Sequence, residues 1–252
     1  MWFDSHCHLH LCETASAEQI VEAAAVSGVT SMVTVGIDIS SSLQAIQLAQ
    51  DERVHAAVGL HPNSANGWDG ATATAIEEMV AAPEVVAVGE SGLDFYRDYA
   101  RAVDQERAFR DHIGLAKRYD KALIIHTRSS IDPALEVLEN EGPPDRFVFH
   151  CWSGDETQLQ RALELGAHIS FAGNVSFKSA ENLRAAAARV PAERLLVETD
   201  SPYLTPEPHR GRPNEPGHVP LVGEAVAAAR GEDPASVARV TTDNARRFFG
   251  LD

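Results

Sequence analysis

Short, almost unbroken apolar runs recur along the chain, each giving way to a stretch whose apolar residues fall three and four apart. The runs cover residues 1–3, 29–35, 54–60, 85–88, 122–125, 147–149, 168–171 and 195–197. Most are rich in Val and Ile and do not alternate with polar residues. That is the pattern of parallel strands covered on both faces. The intervening stretches predict helices over 17–27, 41–50, 71–81, 101–119, 132–139, 156–165, 180–189, 221–229 and 234–249. In 101–119, Ala102, Phe109, Ile113 and Ala116 share one face and charges occupy the others. Gly28 and Gly166 read as helix stops before strands, and Asp155 and Ser179 as N-caps.

Eight strands, each followed by a helix, predict an α/β fold: a single-domain (β/α)8 TIM-type barrel over residues 1–252. An open doubly wound sheet is the structural alternative. It would commonly carry a glycine-rich phosphate loop after its first strand. Neither G-x-G-x-x-G nor a Walker motif is present. The stretch 205–220, with five prolines and two glycines, reads as an ordered loop over the strand ends.

Polar residues at the strand ends bring in the chemistry. His6 and His8 follow the first run, His61 the third, Glu90 the fourth, His126 the fifth, His150 the sixth and Asp200 the eighth. In a barrel these ends converge on the face where barrel enzymes keep their active sites. Alternate strand residues point the same way, so His6 and His8 can reach one cation while Cys7 points elsewhere. Imidazole with carboxylate suits Zn²⁺ or Mn²⁺, and carboxylate alone favours Mg²⁺. His6, His8, Glu90, His126, His150 and Asp200 are more ligands than one four-coordinate ion needs. Glu90 could bridge two divalent ions roughly 3.5–4 Å apart.

Singly, each residue has a plainer reading: a surface histidine, a helix-cap glutamate, an aspartate starting a turn. Jointly those readings weaken, because polar residues end nearly every strand on one side. His112, inside a helix, and His55 and His168, at strand starts, read as structural. His209 and His218 lie in the proline-rich loop. Cys7 and Cys151 read as packing residues. Trp152 and Phe95 could line the pocket or fill core.

Composition changes this picture in three places. A formal charge of −16, from 37 acidic against 21 basic residues, argues against a broad basic surface gripping duplex DNA. It leaves room for a local positive site made by bound cations. Three cysteines, Cys7, Cys12 and Cys151, do not make a disulfide framework. No apolar run approaches the roughly 20 residues needed to span a bilayer, and no signal peptide opens the chain. The expectation is a cytoplasmic protein with no membrane association.

At this level of detail the chain resembles the TatD family of metal-dependent hydrolases, within the amidohydrolase-like barrel superfamily. The resemblance rests on Asp4 to Leu9, Val58 to Pro62, Gly89 to Tyr96 and Ile124 to Arg128. It continues through His150 to Gly154, Glu198 to Leu204, Asn214 to Pro216 and Thr242 to Phe249. It implies a divalent-metal nuclease acting on DNA, single-stranded or at ends, as a deoxyribonuclease of the 3'-5' exonuclease type. It further implies one ion held by His6, His8, Glu90 and Asp200, and a second by Glu90, His126 and His150. The metal could be Mg²⁺, Mn²⁺ or Zn²⁺. Ser91 and Trp152 depart from the family pattern and leave the ligands untouched. The chain's three lysines, Lys117, Lys121 and Lys178, end no strand, which weighs against relatives that bridge metals with a carboxylated lysine.

The reaction expected is phosphodiester hydrolysis by a metal-activated water. Asp200 is the candidate general base or water-orienting group, with Glu90 the other catalytic carboxylate. His61 is placed for a substrate or leaving-group contact. Arg128, two residues beyond His126, would contact a phosphate or form a structural ion pair. Two other functions stay open. One is a metal-dependent ester or amide hydrolase, such as a D-aminoacyl-tRNA deacylase. The other is a non-catalytic metal-binding barrel, whose expected mark, loss of ligands, is missing here. A monomer without an obligate protein partner is expected.

Overall fold

The computed structural model describes residues 1–251. Its eight strands are β1 Trp2–Cys7, β2 Val29–Val35, β3 Val54–Val58, β4 Val85–Asp94, β5 Ala122–Arg128, β6 Phe147–Phe149, β7 His168–Phe171 and β8 Leu195–Val197. They form one parallel sheet in chain order. The helices are α1 Ala17–Val26, α2 Ile39–Leu48, α3 Gly70–Val80, α4 Ala102–Tyr119, α5 Ile131–Glu141, α6 Glu156–Glu164, α7 Glu181–Arg189, α8 Val219–Arg230 and α9 Pro234–Phe249. The fold is the expected TIM-type barrel. Strands β1, β4 and β5 run past their apolar runs, so His6, Glu90 and His126 lie within strands rather than after them.

Side-chain caps start several helices. Ser16 with Gln19, Asp38 with Ser41, and Asp155 with Gln158 make reciprocal capping boxes, which satisfy otherwise orphaned backbone donors. Gly28 and Gly166 do end helical segments, at φ +84° and +93°. The expectation for Ser179 fails: α7 begins one residue later, with Ala180 at the N-cap and no side-chain cap. Ala102 is also exposed instead of facing the core. Asp104 and Gln105 take the buried positions in that turn, because Gln105 is needed to hold the loop before α4.

The core has two parts. One lies between the sheet and the helices. The other fills the barrel, with Phe3, Val33, Val35, Ala57, Ala87, Ile124, Val148 and Leu196. Phe248 and Phe249 at the end of α9 plug its lower mouth, Phe249 stacking on Phe3 with ring centres 5.9 Å apart. His55 and His168 pack against this plug, on Phe3 and Phe248, at the strand starts and away from the C-terminal strand ends. Their reading as structural residues fits that place.

Side chains help to close the barrel between β1 and β8. The Asp4 carboxylate accepts the backbone N–H and the hydroxyl of Thr199, at 2.9 and 2.6 Å. The Ser5 hydroxyl donates to the Val197 carbonyl at 3.0 Å. Backbone bonds from Asp200 to His6 and from His8 to Ser201 complete the seam, at 2.9 and 2.8 Å. These bonds also set His6, His8 and Asp200 side by side.

Candidate metal centre

The inward core positions point directly at the site. Two residues beyond Ile124 comes His126, two beyond Val148 comes His150, and four beyond Ala57 and Leu196 come His61 and Asp200. Strand alternation aims His126 into the upper mouth; His61, His150 and Asp200 lie just past the ends of β3, β6 and β8, keep the same even spacing and reach that mouth too. For β1 and β4 the simple parity would fail. Register shifts lie between Asp4 and Cys7 on β1 and between Val88 and Ser91 on β4. They turn His6, His8 and Glu90 toward the same mouth, while the Cys7 thiol points away and donates to the Val33 carbonyl.

All six residues expected as ligands meet there. The Nε2 atoms of His6 and His8 are 3.2 Å apart. They lie 3.4 and 3.5 Å from Glu90 Oε2, and 3.8 and 3.6 Å from Asp200 Oδ1. Oε1, the other Glu90 oxygen, faces the opposite group: His126 Nδ1 at 2.7 Å and His150 Nε2 at 3.1 Å. The carboxylate thus divides its oxygens between two clusters of nitrogen. Glu90 is only 2% exposed, and Oε2 has no hydrogen-bond partner.

The outer partners fix which nitrogens carry lone pairs. The Val35 carbonyl can only accept, so His8 donates to it from Nδ1, at 2.8 Å. His150 Nδ1 lies 3.2 Å from Glu198 Oε1, which also accepts the Cys151 N–H. In the neutral rings this leaves the Nε2 lone pairs of His8 and His150 aimed at carboxylate oxygens. Acceptors facing acceptors in a buried pit repel unless positive charge lies between them. Either protons or cations can supply it, and the donor set of imidazole and carboxylate suits a divalent ion.

The proton affinities show the same demand. Burial alone would push the Glu90 carboxyl up, but His150, His61 and the hydrogen bonds from His126 and His150 hold it well below its ordinary value. Asp200 is likewise lowered: His8, His150 and His6 outweigh its burial. His150 is raised well above an ordinary imidazole despite burial, chiefly by Glu90 and Glu198.

His61 differs from the rest. Its Nδ1 accepts the backbone N–H of Asn63 at 3.1 Å, so Nε2 carries the proton and points at Glu90 Oε1, 3.5 Å away. Burial depresses its pKa to about 4, keeping the ring neutral. It is a hydrogen-bond donor at the edge of the cluster, without a free lone pair for a metal. His6, His8 and Asp200, and His6, Glu90 and His150, lie close enough to hold an ion; so do His61, Glu90 and His126, but the His61 tautomer argues against that third triad.

Arg128 makes no ion pair among the described residues. Its guanidinium is exposed and lies over the Tyr96 ring, 3.8 Å from the centroid. Trp152 is core at 1% exposure, whereas Phe95 is exposed at the rim. Two contributors escaped the sequence reading as individuals. Glu198 braces His150, and Asp94 Oδ2 lies 3.5 Å from His126 Nε2. Glu198 stands two residues from Leu196 and Asp94 four from Glu90, even spacings that alternation would have found.

Glycines allow β4 to come this close. A Cβ at Gly92, where φ is +143°, would sit 2.2 Å from the His126 carbonyl oxygen; one at Gly89 would sit 2.6 Å from that of Ile124.

A family model described as TatD related DNase matches residues 3–250. The chain belongs to this family. A relative from Mycobacterium tuberculosis H37Rv, called an uncharacterized metal-dependent hydrolase TatD, is 44% identical and covers 98% of this chain and 97% of its own. The 3'-5' ssDNA/RNA exonuclease TatD of Escherichia fergusonii is 35% identical over 93% of each chain. The crystal structure of YJJV, a TatD homolog from Escherichia coli K12, superposes with a TM-score of 0.93 at 27% identity, covering 100% of this chain and 98% of its own. As a TatD-family protein the chain is a metal-dependent hydrolase, and its cluster of His, Glu and Asp is able to hold metal.

Proposed function

We propose that this TatD-family hydrolase cleaves phosphodiester bonds at the ends of single-stranded DNA, as a deoxyribonuclease of the 3'-5' exonuclease type. The observation that carries the reading is the division of the Glu90 carboxylate between two nitrogen clusters, the arrangement a bridging ligand of two divalent ions needs. His6, His8, Glu90 and Asp200 would hold one ion; Glu90, His126 and His150 the other. Relatives named as 3'-5' ssDNA/RNA exonucleases favour a nucleic acid substrate. Bound divalent cations supply Lewis acidity, lowering the pKa of a water toward about 7 and offsetting phosphoryl charge.

The protein's own groups do the rest. Asp200, ionised at neutral pH, orients the attacking water and accepts its proton. Its backbone sits in the left-handed region at φ 53°, and the bond from its N–H to the His6 carbonyl holds it beside the imidazoles. His61 donates from Nε2 to a phosphoryl or leaving oxygen, being neutral and already the proton-bearing tautomer. Glu198 and the Val35 carbonyl fix the rings of His150 and His8, and Asp94 Oδ2 stands 3.5 Å from Nε2 of His126. Arg128 offers a rim cation to a phosphate.

The reading extends to a cytoplasmic monomer that works as one domain over residues 1–252. No helix among the described residues is long and apolar enough to cross a membrane.

The test is a product ladder on 5'-labelled single-stranded DNA with Mn²⁺ or Mg²⁺. Stepwise shortening from the 3' end, abolished by EDTA and slowed at least about 100-fold in Asp200→Asn, is expected. An uncut strand, or full activity in Asp200→Asn, would overturn it.

A further inference from the structure

Of the eight exposed large apolar side chains among the described residues, four lie within one short segment: Phe95, Tyr96, Tyr99 and Val103. Tyr96 and Tyr99 are 61% and 62% exposed. The segment runs from the end of β4 into the first turn of α4, where Val103 lies, at the upper mouth beside the candidate metal centre. Such rings in water ordinarily mark a surface that meets another molecule.

Cations interleave with these rings. Arg97 lies 5.5 Å from the Tyr96 centroid and 5.8 Å from that of Tyr99, and Arg128 covers Tyr96 at 3.8 Å. In a chain of net charge −16 this grouping of arginine with aromatic rings stands out against the prevailing sign. Rings that can stack on bases, next to cations that can meet phosphates, are what a single strand requires.

The segment is also tied to the hydrolytic residues. Asp94 Oδ1 accepts the backbone N–H groups of Tyr96 and Arg97, both at 3.0 Å, while Oδ2 faces His126 Nε2 at 3.5 Å. The buried Gln105 side chain bonds Asp94 at one end of the loop and Ala100 at the other. A platform anchored this way keeps a fixed position relative to the metal centre.

We propose that Tyr96 and Tyr99, with Arg97 and Arg128, form a base-stacking subsite that grips unpaired nucleobases adjoining the phosphate to be cleaved. It rests on the nuclease reading and adds the residues that favour a strand with bases over a bare sugar–phosphate backbone. Because stacking accepts any base, the subsite confers little sequence preference.

Binding of two fluorescein-labelled, phosphorothioate-linked strands to the Mn²⁺-loaded protein tests it by anisotropy. One strand is twelve thymidines; the other has the same length and charge but abasic sites in place of the bases. Wild type should bind the thymidine strand more tightly. Tyr96→Ala and Tyr99→Ala should each reduce that preference at least about fivefold, the scale of one lost base stack, while Tyr99→Trp retains it. Equal binding of both strands by wild type, binding of neither, or a full preference in the alanine variants overturns the subsite. Cleavage of ordinary thymidine strands is scored separately. Cleavage without a base preference refutes the subsite alone, and base-dependent binding without cleavage refutes the nuclease reading alone.

Discussion

Glu198 Oε1 lies 3.2 Å from Nδ1 of His150 and, from the same oxygen, accepts the backbone N–H of Cys151 at 2.8 Å. One buried carboxylate therefore fixes both the ring and the backbone beside it. Cys151 needs the second contact, because its backbone is held in the left-handed region at φ 46°.

That brace gives the first prediction. Glu198→Gln keeps the size of the side chain but removes the charge that favours the Nδ1–H tautomer. Metal affinity should fall about 10- to 100-fold with the far-UV spectrum unchanged. Titration calorimetry with Mn²⁺ or Zn²⁺ measures it, and wild-type affinity would show that Glu198 plays no part in ordering the ring.

The seam between β1 and β8 gives the second. Asp4→Ala leaves the Thr199 N–H and hydroxyl buried without their partner. Each stranded polar group costs about 1–3 kcal/mol, so a loss of about 2–6 kcal/mol in urea unfolding is expected. A loss below about 1 kcal/mol would mean that the seam is held by its backbone bonds alone.

Most of the fold was legible because parallel strands buried on both faces leave largely apolar runs, although β7, with His168 and Ser170, and β2, with Thr30, Ser31 and Thr34, interrupt theirs. The candidate site was legible on β3, β5, β6 and β8, where each candidate residue keeps the parity of an inward core residue such as Ile124 or Val148. On β1 and β4, periodicity could locate His6, His8 and Glu90 in the chain but not their direction. That depended on the register shifts, which come from strand pairing across the sheet. Of the two readings of Arg128, the ion pair finds no partner among the described residues, and the contact that Arg128 makes instead was not legible for a related reason. Its partner, Tyr96, belongs to a loop on the neighbouring strand, and chain spacing carries no trace of that contact.

The close approach of β4 and β5 gives the third prediction. Gly92→Ala would place a methyl 2.2 Å from the His126 carbonyl oxygen at a backbone angle that L residues avoid. The end of β5 must then move, carrying His126 with it. Stability should drop by about 2 kcal/mol or more, together with metal affinity. Differential scanning fluorimetry with and without Mn²⁺ checks both, and unchanged values would contradict the tight packing of these strands.

His112 sets the fourth. It is buried in α4, donating from Nδ1 to the Ala108 carbonyl at 2.7 Å and accepting the Leu60 N–H at Nε2 at 3.0 Å. Burial depresses its pKa from 6.5 to about 4. Between these values the unfolded chain binds the extra proton and the native chain does not, so stability present above pH 6.5 is lost as pH falls toward 4. The loss amounts to about 3 kcal/mol, greater in wild type than in His112→Gln. Chemical denaturation across this window measures it, and identical pH profiles for the two proteins would refute it.

The division of the Glu90 oxygens is the centre of the functional reading, and metal stoichiometry tests it most directly. Native mass spectrometry of wild type and Glu90→Gln, each equilibrated with Mn²⁺ or Zn²⁺, counts the ions. Two ions per wild-type chain, with at most one retained by Glu90→Gln, is the expected result. A single ion in wild type, or two ions kept without the Glu90 carboxylate, would contradict the bridged two-cation centre.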